Sequence, residues 1–479
     1  MVNLLRNIEN KKSFLLITII FLAVFLTYYP HIDYPYPLHV DEWFHIANVK
    51  MLALNEEIDW YSGEIIRTDL EIGWHGALLL IGIFNLSVNQ WTLVPSFLHV
   101  LAILSVFYFI LNFFGKNQAL ISAFLIALIP SSVRFGGPVF LVPINIGLIF
   151  IPLALVFAFE LTLLRRFYNL LALFLITTFL LYAHPPTAIV LLIILGFYFI
   201  LNLVSKEEFC KRKARDLFLT ILLSGLISFP NYIHYIQLKG LESIKFDFWL
   251  YMKDIFGIYG IIPTIFFFVG FYLLTTIQGK KIWSLLLTTL LLLLNIVLFS
   301  RYGLNWLVSY QKIYIPLFLL MSIIASFGLS KLIEIKKPFK SFGLILLLFA
   351  LLLTGVFAVQ SNMETTYYYL IDNEDYESFL WIGENTTTDA LILINPMKAR
   401  ALPPVAERRV YATIPFGPDE ERLSIAHEAN DFLNNRCTDT VFLIERNISI
   451  IYSPLGCDNP DLLELENGIY LLKNLSHSK

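Results

Sequence analysis

The sequence predicts a polytopic α-helical membrane protein of about eleven spans with a small external α/β domain at its C-terminus. Three observations predict it. Of its 479 residues, 57% are hydrophobic and 15% charged, with a mean hydropathy of +0.70, whereas a soluble domain carries about 25% charged residues. Apolar runs near 13–29, 91–113, 117–133, 139–160, 167–183, 187–204, 217–236, 259–277, 282–300, 313–333 and 341–360 approach the roughly 20 residues that cross a bilayer. Finally, the basic loops sort to one side. With those eleven spans and a cytoplasmic N-terminus, Lys116, Arg165, Arg166, the stretch Lys206–Arg215, Lys280, Lys281 and the stretch Lys331–Lys340 all face inward, as the positive-inside rule requires.

A further apolar stretch, 73–88, would reverse that sorting if it crossed, so the sequence predicts a helix there that lies at the outer surface or dips in without crossing. At the N-terminus, Arg6, Lys11 and Lys12 precede the first run as in a signal peptide, but 26–36 (LTYYPHIDYPY) lacks a small-residue cleavage site. An uncleaved first helix is expected, in an integral protein of the cell membrane. A net charge of −3 gives no support to a nucleic-acid partner. The three cysteines form neither a zinc spacing nor a CxxC motif.

Two segments are left outside the bilayer. The chain divides into a membrane domain, 1–360, whose first external loop covers about 30–90, and a polar external domain, 361–479. In the latter, 375–387 reads as helix, and 389–395, 408–412, 439–445 and 468–474 read as strands. Asn385, Asn447 and Asn474 open Asn-x-Ser/Thr triplets, which fit an external face. Cys437 and Cys457 either pair there or remain free thiols, while Cys210 lies in an inward loop and stays reduced.

The first loop contains Asp41 and Glu42, an acidic pair set between two histidines. On a helix over 40–52, Val40, Phe44, Ala47 and Met51 form an apolar stripe, and Asp41, His45 and Asn48 share another face. Such a helix can lie on the outer leaflet and present a carboxylate, an imidazole and an amide. The acids are equally readable as charges favoured by the helix N-terminus, with Asp41 as its cap. Asp41 and His45 alone are too few to make a metal site.

The run Asp41-Glu42-Trp43-Phe44-His45 and the later Gly73-Trp74-His75 lie in a large loop just after the first span. In this and in its overall architecture, the chain resembles the GT-C membrane glycosyltransferases. These include protein O-mannosyltransferases, aminoarabinose transferases and, more distantly, oligosaccharyltransferases. The pattern departs from the family in three places. DLEIGWH (69–75) has no Pro-Pro pair, the next external loop (131–143) has no acid, and no WWD occurs. The last two count against an oligosaccharyltransferase and its metal site, so no cofactor is expected.

The resemblance implies a polyprenyl-phosphate sugar donor used on the outer membrane face, with an acceptor hydroxyl of unassigned kind on lipid, protein or glycan. It makes Asp41 the matching acid and the candidate base, with Glu42 the second choice. The departing phosphate needs cations, and Arg134, Arg301 and Lys312 stand at the expected outer ends of spans. Each equally fits a helix anchor that reaches for water. His45, His75 and His184 are the candidate sugar-orienting groups. The rival readings are a transporter or flippase for lipid-linked glycans, an oligosaccharyltransferase-like ligase, and a non-catalytic sensor. A transporter would carry ionisable groups within its spans, and here the acids gather in loops.

Overall fold

The computed structural model describes residues 10–61, 71–132, 135–161, 165–239, 254–304, 310–333, 368–415, 420–466 and 468–473, with 308, 345–346, 349–350 and 353 as isolated positions. Two compact units emerge. One gathers Met1–Ile32, Leu70–Trp74 and Leu93–Met363; the other gathers Asp33–Asp69, His75–Thr92 and Glu364–Lys479. The first loop therefore groups with the C-terminal region and not with the helices it connects.

The first unit is helical. Ten of the eleven apolar runs carry helices: Asn10–Tyr28, Val94–Phe113, Lys116–Ala127, Ile146–Phe159, Arg166–Ala183, Pro185–Leu203, Glu208–Lys239, Ile261–Thr275, Lys280–Tyr302 and Tyr314–Ile333. The eleventh run, 341–360, lies largely outside the described residues. Seven helices among the described residues are long and apolar enough to cross a membrane. The helices Lys116–Ala127, Ile146–Phe159 and Ile261–Thr275 have 12, 14 and 15 residues. At 1.5 Å per residue each falls short of a bilayer core of about 30 Å.

The first two of these are cut short by the segment between them. Pro130, Pro138 and Pro143 cannot continue a helix, and Gly136 and Gly137 adopt φ of +77° and +133°. Within the described part of that segment a side chain satisfies two of the backbone carbonyls. The Asn145 side-chain amide donates to the carbonyls of Gly137 and Phe140, both at 2.7 Å. Elsewhere a buried histidine ties three helices together: the His99 ring meets the Thr27 hydroxyl at 2.9 Å and the Ile126 carbonyl at 3.0 Å. The helix Ile72–Gly82 covers the first part of the ambiguous stretch 73–88, and its 11 residues are too few to cross.

The second unit is an α/β layer structure. Strands β1 (Leu391–Leu393), β2 (Arg409–Val410), β3 (Ile450–Tyr452), β4 (Leu462–Glu466) and β5 (Ile469–Leu472) form one sheet in the order β2-β1-β3-β5-β4. The pairs β1–β2 and β1–β3 are parallel; β3–β5 and β4–β5 are antiparallel. Alternation along the strands sends Ile392 and Ile450 to one face and Leu393 and Ile451 to the other. Ala429, Phe432 and Leu443, from the helices Glu420–Asn434 and Thr440–Glu445, cover the second face.

Two expectations are corrected here. Residues 439–445 are helical and not a strand: the Asp439 carboxylate accepts from the Phe442 N–H at 3.1 Å and caps the turn. In addition, the apolar stripe of the first-loop helix does not rest on lipid. Val40, Trp43, Ala47 and Met51 pack with Phe379, Ile382, Ile392, Leu402 and Ile450 on the first sheet face. Cys437 and Cys457 are joined in a disulfide, and Cys210 is the free cysteine.

Close helix contact in the first unit depends on two glycines. A Cβ on Gly270 would strike the Ile324 carbonyl, and one on Gly328 would strike the Phe266 carbonyl. Gly328→Val should therefore lower the melting temperature in detergent, by the roughly 1–3 kcal/mol that overpacking costs. Gly196→Ala, where nothing lies within 4 Å of the new methyl, should not.

Candidate active site

The second unit's first-loop helix, Val40–Leu54, begins with a reciprocal capping arrangement. The Glu42 carboxylate accepts from the His39 backbone N–H at 2.9 Å, and the His39 ring nitrogen Nδ1 accepts from the Asp41 N–H at 3.1 Å. The cap is thus His39, not Asp41. The two acids of the pair consequently have different fates. Glu42 is 1% exposed and held by the helix start. Asp41 is 34% exposed, its carboxylate stands 3.6 Å from His39 Nδ1, and no described donor hydrogen-bonds to it.

Beside this turn lies a group that sequence reasoning missed. Arg400 is 3% exposed. Its guanidinium donates to the Ile414 carbonyl, and stands 5.3 Å from the Tyr61 ring centre and 5.9 Å from that of Phe44. Burial pushes its pKa down to about 10, opposed by the fields of Tyr61, Asp41 and Asp59. It therefore remains a cation at neutral pH, kept so in part by Asp41. Burial also pushes the Tyr61 phenol up, so Tyr61 stays neutral and donates to the Arg400 carbonyl at 2.9 Å. A signal for Arg400 existed. It follows parallel strand β1 closely, through the turn Lys398–Arg400, and ligands gather beyond the carboxyl ends of parallel strands.

His45 and His75 come together as a pair. His45 Nδ1 and His75 Nε2 are 3.0 Å apart, one donating to the other, and both rings are buried. The open presentation of His45 expected from the helix projection is corrected: the ring turns to His75 and the edge of Phe44. The Asn48 amide is likewise used, donating to the Phe44 carbonyl at 2.8 Å.

The other predicted residues belong to the first unit. His184 sits between the helices Arg166–Ala183 and Pro185–Leu203, 1% exposed, with Nδ1 at 2.6 Å from the Thr187 hydroxyl. Burial pushes it well below the ordinary imidazole range, and the charge of Lys312 adds to this. Lys312 and Arg301 are both exposed. Arg301 occupies the last turn of Lys280–Tyr302, and Lys312 the short turn Tyr310–Ile313. Arg134 lies outside the described residues.

Among the described residues no group of three or more His, Cys, Asp or Glu side chains could hold a metal ion.

No protein-family model and no curated protein matches the sequence. Solved structures do. The oligosaccharyltransferase AglB of Archaeoglobus fulgidus, in complex with an inhibitory peptide and a dolichol-phosphate, superposes with a TM-score of 0.62 at 13% identity, over 93% of this chain and 70% of that one. ArnT of Cupriavidus metallidurans, bound to undecaprenyl phosphate, gives 0.61 at 11% identity over 97% and 98%. The arabinofuranosyltransferase AftD from Mycobacteria gives 0.60 at 16% identity, over 94% of this chain and 37% of that one. The chain has the GT-C glycosyltransferase fold. At these identities the likeness carries the fold alone. In this chain the aromatic-rich first loop is folded into the sheet-bearing unit, with Trp43, Trp60 and Tyr61 in its core.

The two acids should separate experimentally. Glu42→Ala should lower the melting temperature, by a cap's worth of about 0.5–2 kcal/mol, while keeping activity within about tenfold of the wild type. His184 contributes a pH effect of definite sign. Its folded pKa lies below the free value of 6.5, so it leaves stability unchanged above that value and disfavours the folded state as pH falls below it. The drop in melting temperature between pH 7.5 and pH 5.5 should be smaller in His184→Gln than in the wild type.

Proposed function

We propose that the protein transfers a sugar from a polyprenyl-phosphate-linked donor to an acceptor hydroxyl on the outer face of the membrane, with Asp41 as the general base. The observation that carries this reading is the division of labour at the helix start. Glu42 and His39 cap the helix, which leaves the half-exposed Asp41 carboxylate with no described hydrogen-bond donor. Two observations on structures with this fold add to it: one was solved with a dolichol-phosphate and another with undecaprenyl phosphate.

In the proposed reaction the acceptor oxygen bonds to the anomeric carbon as the bond from that carbon to the lipid phosphate breaks. The bonding pair leaves with the phosphate, and the acceptor proton passes to Asp41. Arg400 acts as a positioning residue. Its buried charge lies in the field of Asp41, with Phe44 and Tyr61 stacked about it, and so favours one placement of the carboxylate. The buried His45–His75 pair fixes the next turn of the same helix and is the proposed support for sugar-orienting contacts. Arg301, in the last turn of Lys280–Tyr302, Lys312, in the turn Tyr310–Ile313, and Arg134 are the proposed partners of the departing phosphate. No step runs through a metal.

The test is turnover of a panel of polyprenyl-phosphate sugars by purified wild type and Asp41→Asn. Loss of a general base costs about 10²–10⁴ in rate. The reading expects that loss in an Asp41→Asn protein that elutes and melts like the wild type. Equal turnover by both would remove Asp41 as the base.

A further inference from the structure

One end of the first unit holds a cavity of about 910 Å³. Its lining comes from the C-terminal ends of Val94–Phe113, Pro185–Leu203, Ile261–Thr275 and Tyr314–Ile333, and from the N-terminal ends of Lys116–Ala127, Glu208–Lys239 and Lys280–Tyr302. These are the ends joined by the basic loops. Four lysines line the cavity, Lys213, Lys280, Lys281 and Lys331, against a single carboxylate, Glu207.

Three of these lysines, Lys213, Lys280 and Lys281, rest on partners other than acids. The Lys280 ammonium donates to the Cys210 sulfur at 2.8 Å, and that thiol donates to Glu207 at 3.1 Å. Lys281 rests 4.1 Å from the Phe113 ring centre, and Lys213 rests 4.7 Å from that of Phe209. Among the described residues Lys213, Lys280 and Lys281 make no ion pair with a carboxylate, although the charge of Glu160 reaches Lys281. Lys213 and Lys280 lie close enough to repel one another, as do Lys213 and Lys281. Lysines that merely anchor helix ends spread outward into water. Lys213, Lys280 and Lys281 converge, half-buried, on a shared cavity, an arrangement that costs Coulomb energy unless an anion sits among them.

We propose that this cavity is a binding site for a phosphate group, namely the headgroup of an anionic membrane lipid. Ammonium groups bind phosphate as point charges. The N-termini of two long helices, Glu208–Lys239 and Lys280–Tyr302, add their positive ends. Phe113, Phe114, Leu273 and Phe327 supply an apolar wall for the root of a lipid chain. Basic pockets between membrane helices take lipid headgroups in this way. The site shares no residue with the Asp41 cluster, and the proposal does not depend on the transferase reading.

The test titrates the detergent-purified full-length protein with phosphatidylglycerol, phosphatidylcholine or inorganic phosphate, following thermal stability and lipid adducts by native mass spectrometry. Phosphatidylglycerol should bind saturably and raise the melting temperature, whereas phosphatidylcholine should do neither. Each lysine near a lipid phosphate contributes about fivefold in affinity. Lys213→Gln with Lys281→Gln should therefore weaken phosphatidylglycerol binding by about 25-fold, and the Arg pair at the same positions should restore it if the Gln pair is folded. Protection by inorganic phosphate as strong as by lipid, lost in the Gln pair, would keep the phosphate site and overturn the lipid as its source. Unchanged phosphatidylglycerol binding in the Gln pair, or equal binding of phosphatidylcholine, would overturn the proposal.

Discussion

The second unit depends on one contact, the burial of the first-loop helix against the C-terminal sheet. Trp43, fully buried, sits in that contact with Val40, Ala47 and Met51 beside it. A helix of 15 residues is marginal on its own in water, so its position is set by what its apolar face meets. Around the contact, backbone and side chains fix the register. The Tyr369 N–H donates to the Leu38 carbonyl at 3.2 Å, the Val410 N–H donates to the Trp60 carbonyl at 3.0 Å, and Lys50 pairs with Glu407 at 2.9 Å. Residues more than 300 positions apart in the chain thus act as one piece.

That piece determines which acid is available. With the helix pinned by its apolar face, its N-terminus falls where His39 bridges to Tyr368 on the C-terminal segment. Once His39 is the cap, the third helical residue is Glu42, and a carboxylate there closes the reciprocal cap. Asp41, one residue earlier, cannot reach the same donor and turns toward solvent on the side of Arg400. Local helix chemistry therefore sorts two adjacent carboxylates into a buried capping position and a partly exposed one.

Much of this was legible in the sequence. Apolar runs located the helices because a span needs length and little else, and a composition shift marked the C-terminal α/β region. Within that region, β1, β2 and β5 fall inside predicted strands, and Asn373–Asn385 matches the predicted helix. Residues 439–445 misled because a short apolar run does not distinguish strand from helix; Asp439, read as the edge of a strand, is in fact a helix cap. Strands β3 and β4 passed unnoticed: β3 has only three residues, all buried, so no alternation marks it. The helix Val40–Leu54 was foreseen with its apolar stripe, but a stripe does not say whether lipid or protein covers it. The partners of Arg400 were out of reach for the same reason, although its place after β1 was a signal. Its partners Tyr61 and Asp41 are 339 and 359 residues away, and only the sheet brings them together.

The central claim is that packing against the sheet is what places Asp41 for chemistry. It is tested most directly in the full-length protein by Trp43→Ala, a truncation that costs a buried site about 3–5 kcal/mol. Hydrogen exchange over residues 40–45 and sugar transfer would be measured on the same preparation. The account predicts faster exchange at the helix start and a matching loss of transfer, although every residue assigned to the chemistry is still present. Faster exchange with undiminished transfer would contradict it.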